Sequence, residues 1–224
     1  IAAIRLLNKL NYKVITLKND ISGRTFISKG FLRSARKIAR NNVMIFSEAI
    51  SKNIPLIGIE PSAILSFRDE YPDLSGNELR NKSLRLADNC FLIEEFIMKE
   101  YSEGRIKKES FTTDHMKILL HAHCQQKAVS SSAPTIGMLS IPENYAVKEI
   151  PSGCCGMAGS FGYEKEHYEL SNKIGELVLF PEIRNSDPAT IIAAPGTSCR
   201  HHIEDGTGRK AKHPVEILYE ALRK

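Results

Sequence analysis

Cys154 and Cys155 are adjacent and run straight into glycine, in the string Ser152-Gly153-Cys154-Cys155-Gly156-Met157-Ala158-Gly159. A thiolate is a soft ligand for zinc or iron–sulfur centres and a redox-active nucleophile. The glycines allow a tight turn and close approach of the backbone to a bulky centre. Cys124 stands in His121-Ala122-His123-Cys124, and Cys199 in Thr197-Ser198-Cys199-Arg200-His201-His202. Cysteines used only as small core hydrophobes usually sit among apolar residues, so packing alone explains these polar, small-residue patches poorly. The fifth cysteine, Cys90, lies in Asn89-Cys90-Phe91-Leu92 and reads as packing.

Ligands so far apart in sequence need a scaffold that gathers separate loops. Short apolar runs at residues 13–17, 56–60, 117–122, 146–150 and 189–194 read as strands covered on both faces. Helical patterns occupy residues 2–10, 28–51, 79–90, 92–102, 164–179 and 214–222, with Pro214 suited to a first turn. Interleaved strands and helices give an α/β fold with small, mostly parallel sheets flanked by helices. Each of the three cysteine patches follows an expected strand. In an open α/β sheet the carboxyl ends of the strands line one crevice, so three loops can deliver four sulfurs to one place. Four thiolates suit tetrahedral zinc or an iron–sulfur cluster, and the adjacent pair could also work as a metal-free thiol–disulfide site.

His121 and His123, two apart on a strand, would share one face and are candidate ligands or proton carriers, as are His201 and His202, while His213, just before a helix, is a candidate neighbour of substrate or cluster. Arg24, Lys29, Arg200 and Arg209 could steer an anionic acceptor. The glycine-rich stretch after Cys155 lacks the spacing of a dinucleotide fingerprint, and no phosphate-binding loop motif occurs.

The chain has 224 residues and a formal net charge of +5. Its Lys and Arg residues are dispersed, which argues against a nucleic-acid surface. No apolar run reaches the roughly 18–20 residues of a membrane span, and the start has no signal-peptide pattern. Unpaired-looking cysteine usage suits a reducing cytoplasm, free or peripheral to a membrane. Opening at Ile1 inside a helical pattern, the chain reads as a piece of a longer polypeptide.

The two halves also resemble each other. Asn11-Tyr12-Lys13-Val14 parallels Asn144-Tyr145-Ala146-Val147, and Ile57-Gly58-Ile59-Glu60-Pro61-Ser62-Ala63 parallels the segment ending at Cys199. The chain then reads as two α/β lobes, residues 1–112 and 113–224, joined through the polar stretch 101–114. Residues 134–142 are expected to be a second connector. Ile21, Ser22 and Ala63 stand in the first lobe where the second has Cys154, Cys155 and Cys199.

The Cys…Cys-Cys-Gly…Cys pattern in a duplicated α/β unit resembles the cysteine-rich CCG domain. That domain occurs in heterodisulfide reductase B-type subunits, anaerobic glycerol-3-phosphate dehydrogenase C-type subunits, iron–sulfur subunits of glycolate or D-lactate oxidases, and fused FAD-linked oxidases. The supporting strings include Ser22-Gly23-Arg24-Thr25-Phe26, Glu60-Pro61-Ser62, Arg68-Asp69-Glu70-Tyr71, His123-Cys124-Gln125-Gln126-Lys127 and His213-Pro214. The resemblance implies a [4Fe–4S]-type cluster or zinc held by Cys124, Cys154, Cys155 and Cys199. The family motif ends in Cys-x-x-Cys, and His202 stands where its last cysteine would be. The resemblance further implies a C-terminal electron-transfer domain of a flavin-dependent oxidoreductase oxidising a D-2-hydroxy acid such as D-lactate, glycolate or 2-hydroxyglutarate. FAD and ferredoxin-like domains would precede this piece in the polypeptide, an electron acceptor would follow, and the piece alone would be inactive.

Overall fold

The computed structural model describes residues 1–19 and 21–223. They form two compact units, Ile1–Val14 with Glu94–Lys224, and Ile15–Ile93. The smaller unit holds a two-stranded parallel sheet, β1 (Leu56–Gly58) beside β2 (Cys90–Leu92). Helices Leu32–Ala49 and Asn77–Ala87 pack within this unit. Tyr71 ties it together: its hydroxyl donates to Ser22 O at 2.8 Å and accepts from Asn42 Nδ2 at 2.9 Å.

The larger unit is built on a four-stranded, all-parallel sheet in the order β4-β3-β5-β6. Its strands are β3 (Met116–Leu120), β4 (Tyr145–Glu149), β5 (Ile191–Ala193) and β6 (Ala211–Lys212). Ile118, Leu119 and Leu120 of β3 are buried, as a strand with neighbours on both edges and helices on both faces requires. Leu119, Ile150, Leu179, Phe180, Ile183, Ile192 and Ile203 form a core cluster against this sheet, and Cys155 and Cys199 are part of it. The chain leaves β3 for β4 on one side and later adds β5 on the other. The strand order therefore reverses between β3 and β5, the position where open α/β sheets leave a crevice at their carboxyl ends.

The expected α/β class and parallel pairing are present, with several local corrections. Residues 13–17 form no strand: among the described residues no backbone segment pairs with them, and Ile15 is exposed. Residues 134–142 are not a plain connector, because helix Ala133–Leu139 starts there with Pro134 in its first turn, where a missing N–H costs nothing. The pattern over 28–51 is broken by Gly30 at φ +74° into Arg24–Ser28 and Leu32–Ala49. Between the helical patterns of 79–90 and 92–102 lies β2, and the pattern of 164–179 resolves into Tyr168–Leu177 and Leu179–Arg184. Helix Thr197–Thr207 has no counterpart among the expected helices, because its glycine and paired histidines mask the helical period. No helix among the described residues is long and apolar enough to cross a membrane.

Gly206 lies in that last helix against the ring of Phe180. A Cβ placed there would stand 2.4 Å from two ring carbons, with Phe180 fully buried and unable to step aside. Gly206→Ala is expected to destabilise the protein by about 1–3 kcal/mol through overpacking. Urea unfolding should show a lower midpoint with an unchanged slope. An unchanged midpoint would mean that Phe180 can repack freely.

Candidate metal centre

Three strands end at the same place. β3 runs into His121, His123 and Cys124, β4 into Ser152, Cys154 and Cys155, and β5 into Gly196 and Cys199. The parallel pairing continues one step past the strands on both sides: His121 N–H donates to Ala193 O at 2.9 Å, and Ile150 N–H to Leu120 O at 2.8 Å. These bonds fix where each loop departs. Helix Thr197–Thr207 then starts on Gly196 and places Cys199 in its first turn, where free N–H groups and the helix dipole favour a thiolate.

Two glycines make the approach possible. Gly156 sits at φ +108°, a conformation L side chains rarely adopt, and a Cβ there would meet Ser171 O at 2.3 Å. A Cβ on Gly196 would overlap the His123 ring at 2.3 Å and reach 3.1 Å from Cys199 Sγ. Lys127, on the helix that follows Cys124, donates to Ser152 O at 2.5 Å and Gly153 O at 2.9 Å and so clamps the adjacent-cysteine loop.

The four sulfurs form a relay: Cys124 hydrogen-bonds to Cys154, Cys154 to Cys155, and Cys155 to Cys199. All the cysteines are free thiols. The hydrogen bonds from Cys124 and Cys155 hold the Cys154 thiol well below its ordinary value. Gly156 N–H adds to this from 3.3 Å. Cys199 is likewise lowered, chiefly by Cys155, with the His121 and His123 imidazoles also favouring its thiolate. Their neighbours move the other way. Cys124 is raised by its bond to Cys154 and by burial, and Cys155 by its bonds to Cys154 and Cys199 and by burial. Neighbouring sulfurs in this dry site thus push one another's ionisation in opposite directions, as adjacent like charges demand.

Of the histidines, His121 is the one drawn in. It is 0 % exposed, its Nδ1 lies 2.8 Å from Ser152 Oγ, and its Nε2 has no hydrogen-bond partner among the described residues. The ligand atoms of His121, Cys155 and Cys199 all lie within 4.8 Å of one another. A buried nitrogen without a partner beside soft sulfurs is a donor set that can hold a metal ion. His202 is placed differently. Its Nδ1 is 2.8 Å from Cys155 O, and its Nε2 lies 3.2 Å from Asn172 Oδ1 and 3.5 Å from Ser171 Oγ. Its side chain therefore braces the Cys155 backbone.

The remaining candidates have structural partners. His123 Nδ1 accepts from Gln125 N–H and His213 Nδ1 from Val215 N–H, so each caps a helix. His201 Nδ1 lies 2.9 Å from Tyr163 OH at the surface. Arg24 pairs with Glu70, Arg200 binds the carbonyls of Ala194 and Pro195, and Arg209 binds that of Thr190. Cys90 belongs to the smaller unit, buried, with its Sγ 3.4 Å from Ile64 O. Sequence reasoning missed Ser152, Lys127, Ser171 and Asn172. Ser152, two residues before Cys154, was visible in the string but carried no sign of a histidine partner.

The chain is similar to the C subunit of the anaerobic glycerol-3-phosphate dehydrogenase of Escherichia coli strain K12, 31 % identical over 221 residues, covering 98 % of this chain and 54 % of that protein. It is 29 % identical over 225 residues to D-2-hydroxyglutarate dehydrogenase of Haemophilus influenzae, and 28 % over 221 residues to that of Pantoea ananatis. These cover 98 % of this chain but 21 % and 20 % of those enzymes. The chain thus spans about half of the glycerol-3-phosphate dehydrogenase component and about a fifth of the larger dehydrogenases, matching their C-terminal parts. No family model matches it.

The proton pattern has a direct chemical consequence. Cys154 is half-buried while Cys155 and Cys199 are buried, so Cys154 is the accessible thiolate. In metal-free, reduced protein, iodoacetamide is expected to modify Cys154 first. Its rate should stay flat between about pH 6 and 8, where an ordinary thiol of pKa about 8.5 would speed up. Peptide mapping that found Cys124 modified first, or a rate rising with pH, would contradict the relay.

Proposed function

We propose that this chain is the electron-transfer part of a larger dehydrogenase, with Cys124, Cys154, Cys155 and Cys199 holding an iron–sulfur centre of the [4Fe–4S] type. The observation that carries the reading is the gathering of the buried His121, Cys155 and Cys199 within 4.8 Å at the switch point of a parallel sheet, with Cys154 and Cys124 next along the chain of neighbouring sulfurs. The relatives' names add a chemical argument. Glycerol 3-phosphate and D-2-hydroxyglutarate share little beyond a secondary alcohol whose oxidation releases two electrons. A segment similar to parts of both dehydrogenases fits the step they have in common, the handling of those electrons, better than recognition of either substrate. On this reading the substrate is a small hydroxy acid or a comparable alcohol. FAD and further redox centres lie in other domains of the parent protein, and electrons leave for an external acceptor.

When bound, such a centre would accept and pass on single electrons. This chain's own residues hold and tune it. The apolar cluster of Leu119, Ile150, Met157, Phe180 and Ile192 excludes water from one side. The Gly156 N–H donates to Cys154 Sγ, which withdraws charge from the sulfur and favours the reduced state. Lys127 keeps the adjacent-cysteine loop in place.

Burial of Cys155 and Cys199 inside the core also suits structural zinc, which would pin the three loops without redox chemistry. Metal analysis separates the two. Protein purified without oxygen is expected to contain iron and acid-labile sulfide in comparable amounts, to absorb in the visible, and to lose both on Cys154→Ser or Cys199→Ser. Stoichiometric zinc without sulfide would replace the redox reading with the structural one.

A further inference from the structure

We infer that His121, through Nε2, is the nitrogen ligand of the metal centre, and that His202 is a positioning residue. The proposal deepens the reading above and rests on a metal occupying the cysteine site, whether iron–sulfur or zinc. Four independent features of His121 converge. Its side chain is fully buried, so Nε2 cannot turn to water. Nε2 has no geometric hydrogen-bond partner among the described residues, and the ring's other polar neighbour is the Cys199 sulfur, itself a soft ligand atom that a metal would share with it. Its ligand nitrogen shares a 4.8 Å neighbourhood with the sulfurs of Cys155 and Cys199. Finally, both its backbone and its ring are fixed: N–H bonds to Ala193 O at 2.9 Å, and Nδ1 faces Ser152 Oγ at 2.8 Å.

That last contact admits the ligating tautomer, since Ser152 Oγ can accept as well as donate. When Nδ1–H donates to Ser152 Oγ, the Nε2 lone pair is left directed away from it, the usual arrangement in which an outer hydrogen bond orients a ligating imidazole. The satisfied-core reading leaves the second ring nitrogen only the Cys199 sulfur, within the same 4.8 Å neighbourhood as Cys155, which is the donor set a metal would take.

His202 shows the contrast. Helix Thr197–Thr207 puts positions 199 and 202 one turn apart on one face, so a side chain at 202 is near the site by construction. Yet both of its nitrogens have polar neighbours: Nδ1–H can donate to Cys155 O while Nε2 accepts from the Ser171 hydroxyl, with Asn172 Oδ1 beside it, and the ring packs edge-on against Phe180 at 4.9 Å. Its bond to the Cys155 carbonyl holds the turn that aims both adjacent sulfurs. A neutral imidazole at His121 in place of a thiolate makes the site less negative by one charge, which raises the potential of an iron centre.

The test uses the full chain labelled with [15N]histidine, reduced, freed of metal and titrated with zinc. Ring spectra are expected to show His121 alone changing to a metal-bound Nε2 with a protonated Nδ1, while His202 keeps its pattern. His121→Ala should weaken zinc binding by more than the roughly 10–100-fold that loss of an outer partner costs, Ser152→Ala and His202→Ala by no more than that, and His121→Cys should restore tight binding. Zinc bound with the His121 ring unchanged, or with His202 changing instead, would overturn the assignment, as would failure to bind zinc at all. Iron and sulfide analysis of the untreated protein keeps the two ideas apart. A His121 shift in protein that natively lacks iron would retain the ligand and sink the cluster, and an iron centre beside an indifferent His121 would do the reverse.

Discussion

The double pairing of β3 is the constraint on which the site depends. Because β3 bonds β4 on one edge and β5 on the other, and all run the same way, their carboxyl ends must lie side by side. Parallel strands need long crossover connections, which is why the cysteines are scattered in sequence although their sulfurs meet. Leu120 and Ala193 sit in register, so the residues just beyond them, His121 and the loop to Cys199, open into the same crevice. A slip of one residue in β3 would turn His121 to the opposite face.

What gathers four acidic groups in a dry pocket must also keep them from repelling one another. Sharing protons along the sequence Cys124, Cys154, Cys155, Cys199 does this without a metal. Any sulfur that still carries a proton must give it up to ligate a metal, so occupancy is coupled to proton release. It also explains why the patch is surrounded by serine, glycine and histidine. Small residues let backbone amides reach the sulfurs, and Ser152 and Ser171 supply the oxygens that hold the two buried imidazoles.

The gathering of the cysteines was legible because it follows from a topological rule: short apolar runs followed by small-residue loops mean strand ends in an α/β sheet. The α/β class and the strands nearest the site were readable for the same reason. Less visible was everything decided by tertiary pairing. Residues 13–17 have strand-like residues and no partner strand among the described residues, while β2 is hidden between two helical patterns and the two residues of β6 are too few to show a period of two. Helix Thr197–Thr207 carries Gly206, helix-weakening by itself, yet Gly206 is there because Phe180 leaves room for nothing larger. Side-chain roles were the least legible. His121, His123, His202 and His213 look alike as letters, but two cap helices, one braces a carbonyl, and one faces the sulfurs of Cys155 and Cys199.

The difference between His121 and His202 shows what a motif position does and does not fix. Spacing of three on a helix fixes the face from which a side chain at 202 departs, and hence that it will lie near Cys155. It does not fix what the ring does on arrival. A thiol at that position would have a single sulfur to offer and no competing acceptor geometry. An imidazole has two nitrogens set apart across a rigid ring, and here the Cys155 carbonyl claims one while Asn172 and Ser171 claim the other. His121, by contrast, comes from the central strand, where the backbone cannot yield, and is held on one side only. In a site assembled from strand ends, a side chain anchored to the sheet and half-satisfied has both the rigidity and the free lone pair that ligation needs, and a fully satisfied neighbour on a helix has neither to spare.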